Sequence, residues 1–244
     1  MKKIFVLVSA LFLFLLLTLP VLAKNEAPRG LEDKGPLTRI TLIHYKRGYG
    51  KPPHAGGGKP KDKDSACYTY LSKGAKWKTI EDYFINPDGL DSEFVKNAVV
   101  AGVEEWEEYS PKDIFGAGTI NYSFDFNNGD YDEKNTASFG PYDDGVIAIA
   151  NVWGYFYGPP KTREIIEWDI LFNDYYDWGN ATVDSELMDL QNIATHELGH
   201  AAGMGDLYET TCAEETMYGY SINGETKKQT LNPGDIAGIK SLYK

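Results

Sequence analysis

The residues best suited to chemistry lie in one run, His196-Glu197-Leu198-Gly199-His200. On a helix, residues four apart leave the same face, so the two imidazoles can bind one Zn2+. Glu197 follows the first histidine and sits near the metal without having to bind it, which places a carboxylate to take a proton from metal-bound water. Histidine is scarce, four residues in 244, so a pair at this spacing around a glutamate is more informative than a lone histidine on a helix face. Gly203 stands three residues beyond His200, and Asp206 three further on. Glycine lets the chain turn sharply there and return residue 206 towards the metal as a third ligand. The plainer alternative is that Asp206 is an ordinary turn residue.

Around that run the sequence predicts the elements that must position it. A helix is expected from about residue 185 to residue 202, with Asp184 near its start and Gly203 just past its end. Upstream, Asp91 can cap a helix with Phe94, Val95, Ala98, Val99, Gly102, Val103 and Trp106 on one stripe, ended by Ser110-Pro111. Strand patterns cover 119–126, 146–152 and 165–172, separated by Asn-Gly-Asp and Asp-Asp-Gly turns. A last helix has Asn232 as cap, Pro233 in its first turn and Asp235 at its positive end, with Ile236, Ile239, Leu242 and Tyr243 as its buried face. The order helix, several strands, then helices predicts an α+β domain.

The extended run His196-Glu197-x-x-His200-x-x-Gly203-x-x-Asp206 resembles the zinc motif of the metzincin metalloproteases, with Asp206 where the usual third ligand is a histidine. Thr216-Met217-Tyr218-Gly219-Tyr220 is similar to the Met-turn of the matrixin branch, with Gly219 where a proline is common. The tail from Leu231 to Tyr243 resembles the matrixin C-terminal helix, Trp168 to Asn173 a central strand, and 146–152 the edge strand that pairs with substrate. The resemblance covers residues 91–244, and the Pro-Arg-Cys-Gly switch of matrixin pro-peptides is not found. It implies a metzincin-like zincin fold: a twisted, mostly parallel sheet with an antiparallel edge strand, an active-site helix and a C-terminal helix. It also implies a zinc endopeptidase in which His196, His200 and Asp206 hold Zn2+, Glu197 is the general base and Met217 supports the site by packing. An extended protein or peptide substrate would pair with Ala148, Ile149 and Ala150. Calcium, common in matrixin-like domains, is an option at residues 127–132 and at Asp143-Asp144, though a solvated acidic turn is the preferred reading because no full ligand loop is present. Two alternatives stay open. One is a zincin of another branch with Glu214 or Glu225 as third ligand. The other is a non-catalytic exported binding protein that keeps zinc for stability, against which Glu197 argues, since a structural site needs no base.

Composition sets the context. Twenty-four Lys and Arg against 36 Asp and Glu give a formal charge of -12, and no local basic patch offsets it, which excludes general nucleic-acid binding. Seventeen Tyr and five Trp exclude disorder for most of the chain. Lys2-Lys3, an apolar run from Ile4 to Leu19, Pro20 and Ala23 predict a signal peptide at 1–23, with an uncleaved surface anchor as the alternative. Residues 24–66, with the Gly/Pro-rich stretch 48–60, are expected to be an extension or pro-segment, and 67–244 the metalloprotease domain. A short strand pattern at 39–45 falls in that extension, and His44 and His54 are read as incidental. Cys67 and Cys212, an even pair in an exported chain, predict one disulfide. The mature protein is expected to be secreted, without a stable membrane span, and a monomer.

Overall fold

The computed structural model describes residues 34–50 and 67–244. The expected signal peptide, most of the 24–66 extension and His54 lie outside the described residues. Eleven strands are present among those described: β1 Leu37–Lys46, β2 Thr69–Tyr70, β3 Glu81–Ile85, β4 Phe115–Ile120, β5 Asn135–Gly140, β6 Val146–Tyr155, β7 Glu164–Asn173, β8 Trp178–Gly179, β9 Met188–Asp189, β10 Met204–Gly205 and β11 Tyr220–Ser221. Three α-helices accompany them, α1 Ser92–Tyr109, α2 Leu190–Ala201 and α3 Pro233–Leu242. Seven strands form one sheet in the order β11-β1-β6-β7-β5-β3-β4. β4, β3, β5 and β7 are parallel, β6 runs antiparallel to β7, and β1 is antiparallel to β6 but parallel to β11. The sheet is mostly parallel with an antiparallel strand, β6, and one further strand, β1, pairs beyond it.

The sequence explains why these elements form. β6 and β7 carry near-continuous runs of Val, Ile, Ala, Leu and Phe, as strands covered on both faces do, and almost every residue in them is buried. α1 starts at Asp91, whose carboxylate accepts the amide of Phe94 at 2.7 Å. Its stripe of Val95, Ala98, Val99, Gly102, Val103 and Trp106 is buried, the last with its indole N–H donated to the Thr195 carbonyl of α2 at 2.7 Å. α3 begins at Asn232 with a capping box closed by Asp235. Among the described residues no helix is long and apolar enough to cross a membrane.

Several boundaries differ from expectation. α2 starts at Leu190 and not near 185, because Asp189 is its cap, accepting the Asn192 amide at 2.8 Å. Asp184 instead closes a turn onto the Glu186 amide. The strand expected at 119–126 is β4, which ends at Ile120, since Asn121 turns the chain by accepting the Ser123 amide. β3 and β5 were not foreseen. β5, Asn-Thr-Ala-Ser-Phe-Gly, has no apolar alternation yet is buried at every residue. The strand pattern at 39–45 proves to be β1, ten residues paired with β6 along most of its length and part of the same compact unit as the rest. Residues 34–50 are therefore built into the domain's sheet.

Cys67 and Cys212 form the expected disulfide, with Cα atoms 5.5 Å apart at a sequence separation of 145. It fastens the start of β2 beside the loop that follows the metal-binding run. Loss of a cross-link closing so long a loop removes about 4–5 kcal/mol in the chain-entropy model. Cys67→Ser/Cys212→Ser should accordingly unfold at markedly lower denaturant concentration, and a midpoint unchanged from the parent would contradict this account.

Candidate metal centre

α2 is buried along nearly its whole length and carries His196, Glu197 and His200 into the interior. The helix ends at Ala201, one residue after His200, and Gly203 lies two residues further on at φ +103°, a left-handed conformation that a side chain would strain. A Cβ there would also lie 2.5 Å from the Ala75 carbonyl. The turn is held by strand pairing: Leu71 donates its amide to Gly203, and Met204–Gly205 pairs with Thr69–Tyr70. Asp206 thereby comes back over the helix end. Its Oδ1 lies 3.2 Å from His196 Nε2 and 3.3 Å from His200 Nε2.

Each ligand is oriented by a group behind it. His196 Nδ1 donates to the Thr216 carbonyl at 2.7 Å and His200 Nδ1 to the Met204 carbonyl at 3.1 Å, which places a hydrogen on each Nδ1 and turns each Nε2 towards Asp206. Tyr208 donates its hydroxyl to Asp206 Oδ2 at 3.0 Å, leaving Oδ1 for the centre. The Thr216 carbonyl is in turn held by α3, because the buried Asp235 carboxylate accepts the amides of Thr216 and Met217. Met217 is fully buried against α2 at Gly199, where a Cβ would come within 2.3 Å of its sulfur; glycine is what allows the turn so close to the helix.

His196 Nε2, Asp206 Oδ1 and Glu197 Oε2 are buried without a hydrogen-bond partner. Unpaired buried polar atoms are costly, and three of them, from one imidazole and two carboxylates beside the second imidazole of His200, are the chemistry of a divalent metal site. The ligand atoms of His196, His200 and Asp206 lie within 4.8 Å of one another, so the residues fit Zn2+. Burial pushes Glu197 up to about 8. Burial also lowers His196 to about 4, whereas at His200 the burial effect is outweighed by Asp206, which raises it to about 9. Burial would raise Asp206, but the imidazoles, His200 foremost, hold it well below the usual carboxylate range.

Neither Glu214 nor Glu225 joins the cluster. Glu214 is 82% exposed beside Lys227, and Glu225 pairs with the buried Lys228. The acidic turns at 127–132 and 143–144 provide no cluster of three His, Cys, Asp or Glu groups among the described residues.

His44, read from sequence as incidental, is in the centre. It is 1% exposed, its ring centroid is 4.0 Å from that of His196, and its Nδ1 is 3.0 Å from Glu197 Oε1. It arrives on β1, whose residues Leu42, Ile43 and His44 pair with Ala150, Ile149 and Ala148. The backbone edge where substrate was expected is occupied by the chain's own strand. Tyr208, Asp235 and Lys228 were likewise missed as parts of the site. Only Asp235 carried a visible sequence signal, as the third residue of a capped helix.

The sheet, the buried helix, the left-handed turn and a His-His-Asp cluster that could hold a metal are the features of a zincin of the metzincin type. The model of the matrixin peptidase family matches residues 83–244, and the chain belongs to that family. It is 27% identical to metalloendoproteinase 1-MMP of Arabidopsis thaliana over 187 residues, 73% of this chain and 47% of that protein. It is also 27% identical to stromelysin-1 of Mus musculus over 221 residues, 88% of this chain and 40% of that protein. The chain spans less than half the length of these relatives.

Asp206→Ala should lose bound zinc at chelator concentrations the parent withstands, while Glu214→Ala and Glu225→Ala retain it. Metal content after graded chelation, read by elemental analysis, checks this. Zinc retention by Asp206→Ala together with loss in either glutamate variant would move the third ligand elsewhere.

Proposed function

We propose that this chain is an exported zinc endopeptidase, with Zn2+ held by His196, His200 and Asp206 and Glu197 as general base. The observation that carries this reading is the convergence of unpaired, buried Nε2 and Oδ1 atoms beside the free Oε2 of Glu197. Bound zinc would supply Lewis acidity towards a carbonyl oxygen and a water molecule. The chain's own groups do the rest. Thr216 and Met204 keep both imidazoles aimed at one point, and Tyr208 keeps Asp206 from rotating away. Glu197 takes a proton as water adds to the scissile carbonyl carbon and delivers it to the leaving amine as the C–N bond breaks. Met217 packs beneath. The substrate backbone is an extended peptide on the β6 edge at Ala148, Ile149 and Ala150.

The occupied edge supports a second element of this proposal. β1 fills the place of the substrate backbone and His44 engages Glu197, so residues 24–66 serve as a pro-segment that holds the enzyme latent. The signal peptide proposed at 1–23 brings the chain to the oxidising setting in which Cys67–Cys212 persists.

Glu197→Gln tests the mechanism. It should keep zinc at parent stoichiometry and cleave a casein-derived peptide about 10²–10⁴-fold more slowly, the range for losing a general base. Near-parent turnover in the metal-loaded variant would sink the assignment. His44→Ala in the full chain should raise cleavage of the same peptide about tenfold, equivalent to weakening β1 docking by about 1.4 kcal/mol. An unchanged rate would mean that β1 does not gate the cleft.

A further inference from the structure

Two stretches of the chain carry the acceptor pattern for N-linked sugar, Asn121-Tyr122-Ser123 and Asn180-Ala181-Thr182, and neither has a part in the metal centre. The second lies in the surface turn between β8 and β9, ahead of α2. Its three residues divide between inside and outside. Ala181 is 7% exposed, and its amide donates to Oδ2 of Asp189, the cap of α2, at 2.8 Å. Asn180 and Thr182 on either side are exposed, and the exposure continues through Glu186, with Val183 at 84%.

The turn also orients the asparagine. Asn180 Oδ1 accepts the Thr182 amide at 2.9 Å and the Thr182 hydroxyl at 2.5 Å, and the Asn180 carbonyl accepts the Val183 amide at 3.0 Å. Asparagine commonly closes a turn onto the backbone two residues on, and that alone is a structural role. Such a role needs only Oδ1 and the amide. Here the hydroxyl that the acceptor pattern requires is brought to the same carboxamide, and no hydrogen bond among the described residues occupies Nδ2, the atom that takes the sugar. There is also room. A recess of about 310 Å³ opens beside Asn180, lined by Phe94 and Ala98 of α1 and by Gln191 and Gln229. Asn121 is placed differently: it is half-buried, and its own amide is donated to the Ile85 carbonyl at the end of β3.

We propose that Asn180 is an N-glycosylation site of the exported chain, with Thr182 as the residue that makes it recognisable. The donor is an oligosaccharide carried on a lipid phosphate. Nδ2 forms a bond to C1 of the first sugar as the bond from C1 to the phosphate oxygen breaks. Nδ2 gives up one proton, and the lipid phosphate leaves. The product is a surface asparagine bearing a bulky, solubilising group. The proposal rests on export, one part of the reading above, and is independent of the peptidase part.

The test is a mass measurement on the full chain, produced with its own leader by eukaryotic cells and collected from the medium. The proteolytic fragment that contains Asn180 should be heavier by a glycan. An amidase that releases N-linked sugar should remove that mass and leave an aspartate in its place. Asn180→Gln and Thr182→Ala should each abolish the added mass, Thr182→Ser should retain it, and Asn121→Gln should leave this fragment unchanged. A turn that is only structural gives the bare fragment in every variant. Bare Asn180 in chain recovered from the medium overturns the proposal, and so does added mass that survives Thr182→Ala. A chain that stays inside the cells counts against the export reading instead. The same chain behind a leader of known export then decides the site, and bare Asn180 there overturns it. None of these readouts depends on turnover, so failure of the peptidase reading leaves them unchanged.

Discussion

The rest of the structure depends on one geometric feature: side-chain atoms of His196, His200 and Asp206, from within eleven residues, meet at a point inside the protein. A helix can supply two of them, His196 and His200, but its axis carries residue 206 away from the point they share. The left-handed residue at Gly203 reverses the chain, and the neighbouring β2 strand holds it reversed through the Leu71 amide and the β2–β10 pairing. The disulfide at Cys67 ties down the start of β2. An element that looks like a leader to the domain is thus a brace for its third ligand.

The opposite side of the centre is braced from the C-terminus. Asp235 caps α3 and, with the same carboxylate, accepts the amides of Thr216 and Met217. Thr216 then accepts from His196. Burial pushes Asp235 up to about 7, so the backbone donors around it are what compensate a carboxylate placed in the interior. The C-terminal helix therefore sets the orientation of a histidine at the metal centre through one side chain and one turn. Loss of that helix would loosen the first ligand without touching it.

The sequence made the metal centre legible and left its surroundings obscure. His196, Glu197, His200, Gly203 and Asp206 are close in sequence, so helical periodicity and one glycine place them. α1 and α3 were legible for the same reason, since their caps and stripes are local. β5 was not, because Asn-Thr-Ala-Ser-Phe-Gly is a strand only by virtue of its neighbours, β3 and β7. The start of α2 was misplaced because Asp184 and Asp189 are equally good caps in sequence, and only the pairing of β9 with β8 extends the chain up to Asp189. His44 was invisible as a site residue for a stronger reason: 152 residues separate it from His196, and nothing local records that β1 inserts between β6 and β11.

That insertion connects fold and selectivity. A free sheet edge beside a metal centre exposes unpaired amides and carbonyls to any extended chain, a hazard that folded proteins cover. Covering it with β1 satisfies those groups and at the same time seals Lys228, Ser221 and Glu225 away from water. A buried ion pair adds little net stability by itself, because desolvation offsets its attraction. The pair is held in place by the Tyr220 carbonyl and the Ser221 hydroxyl, which satisfy the buried ammonium and carboxylate. Strand pairing supplies backbone affinity that is indifferent to sequence, so the edge itself does not choose among extended chains.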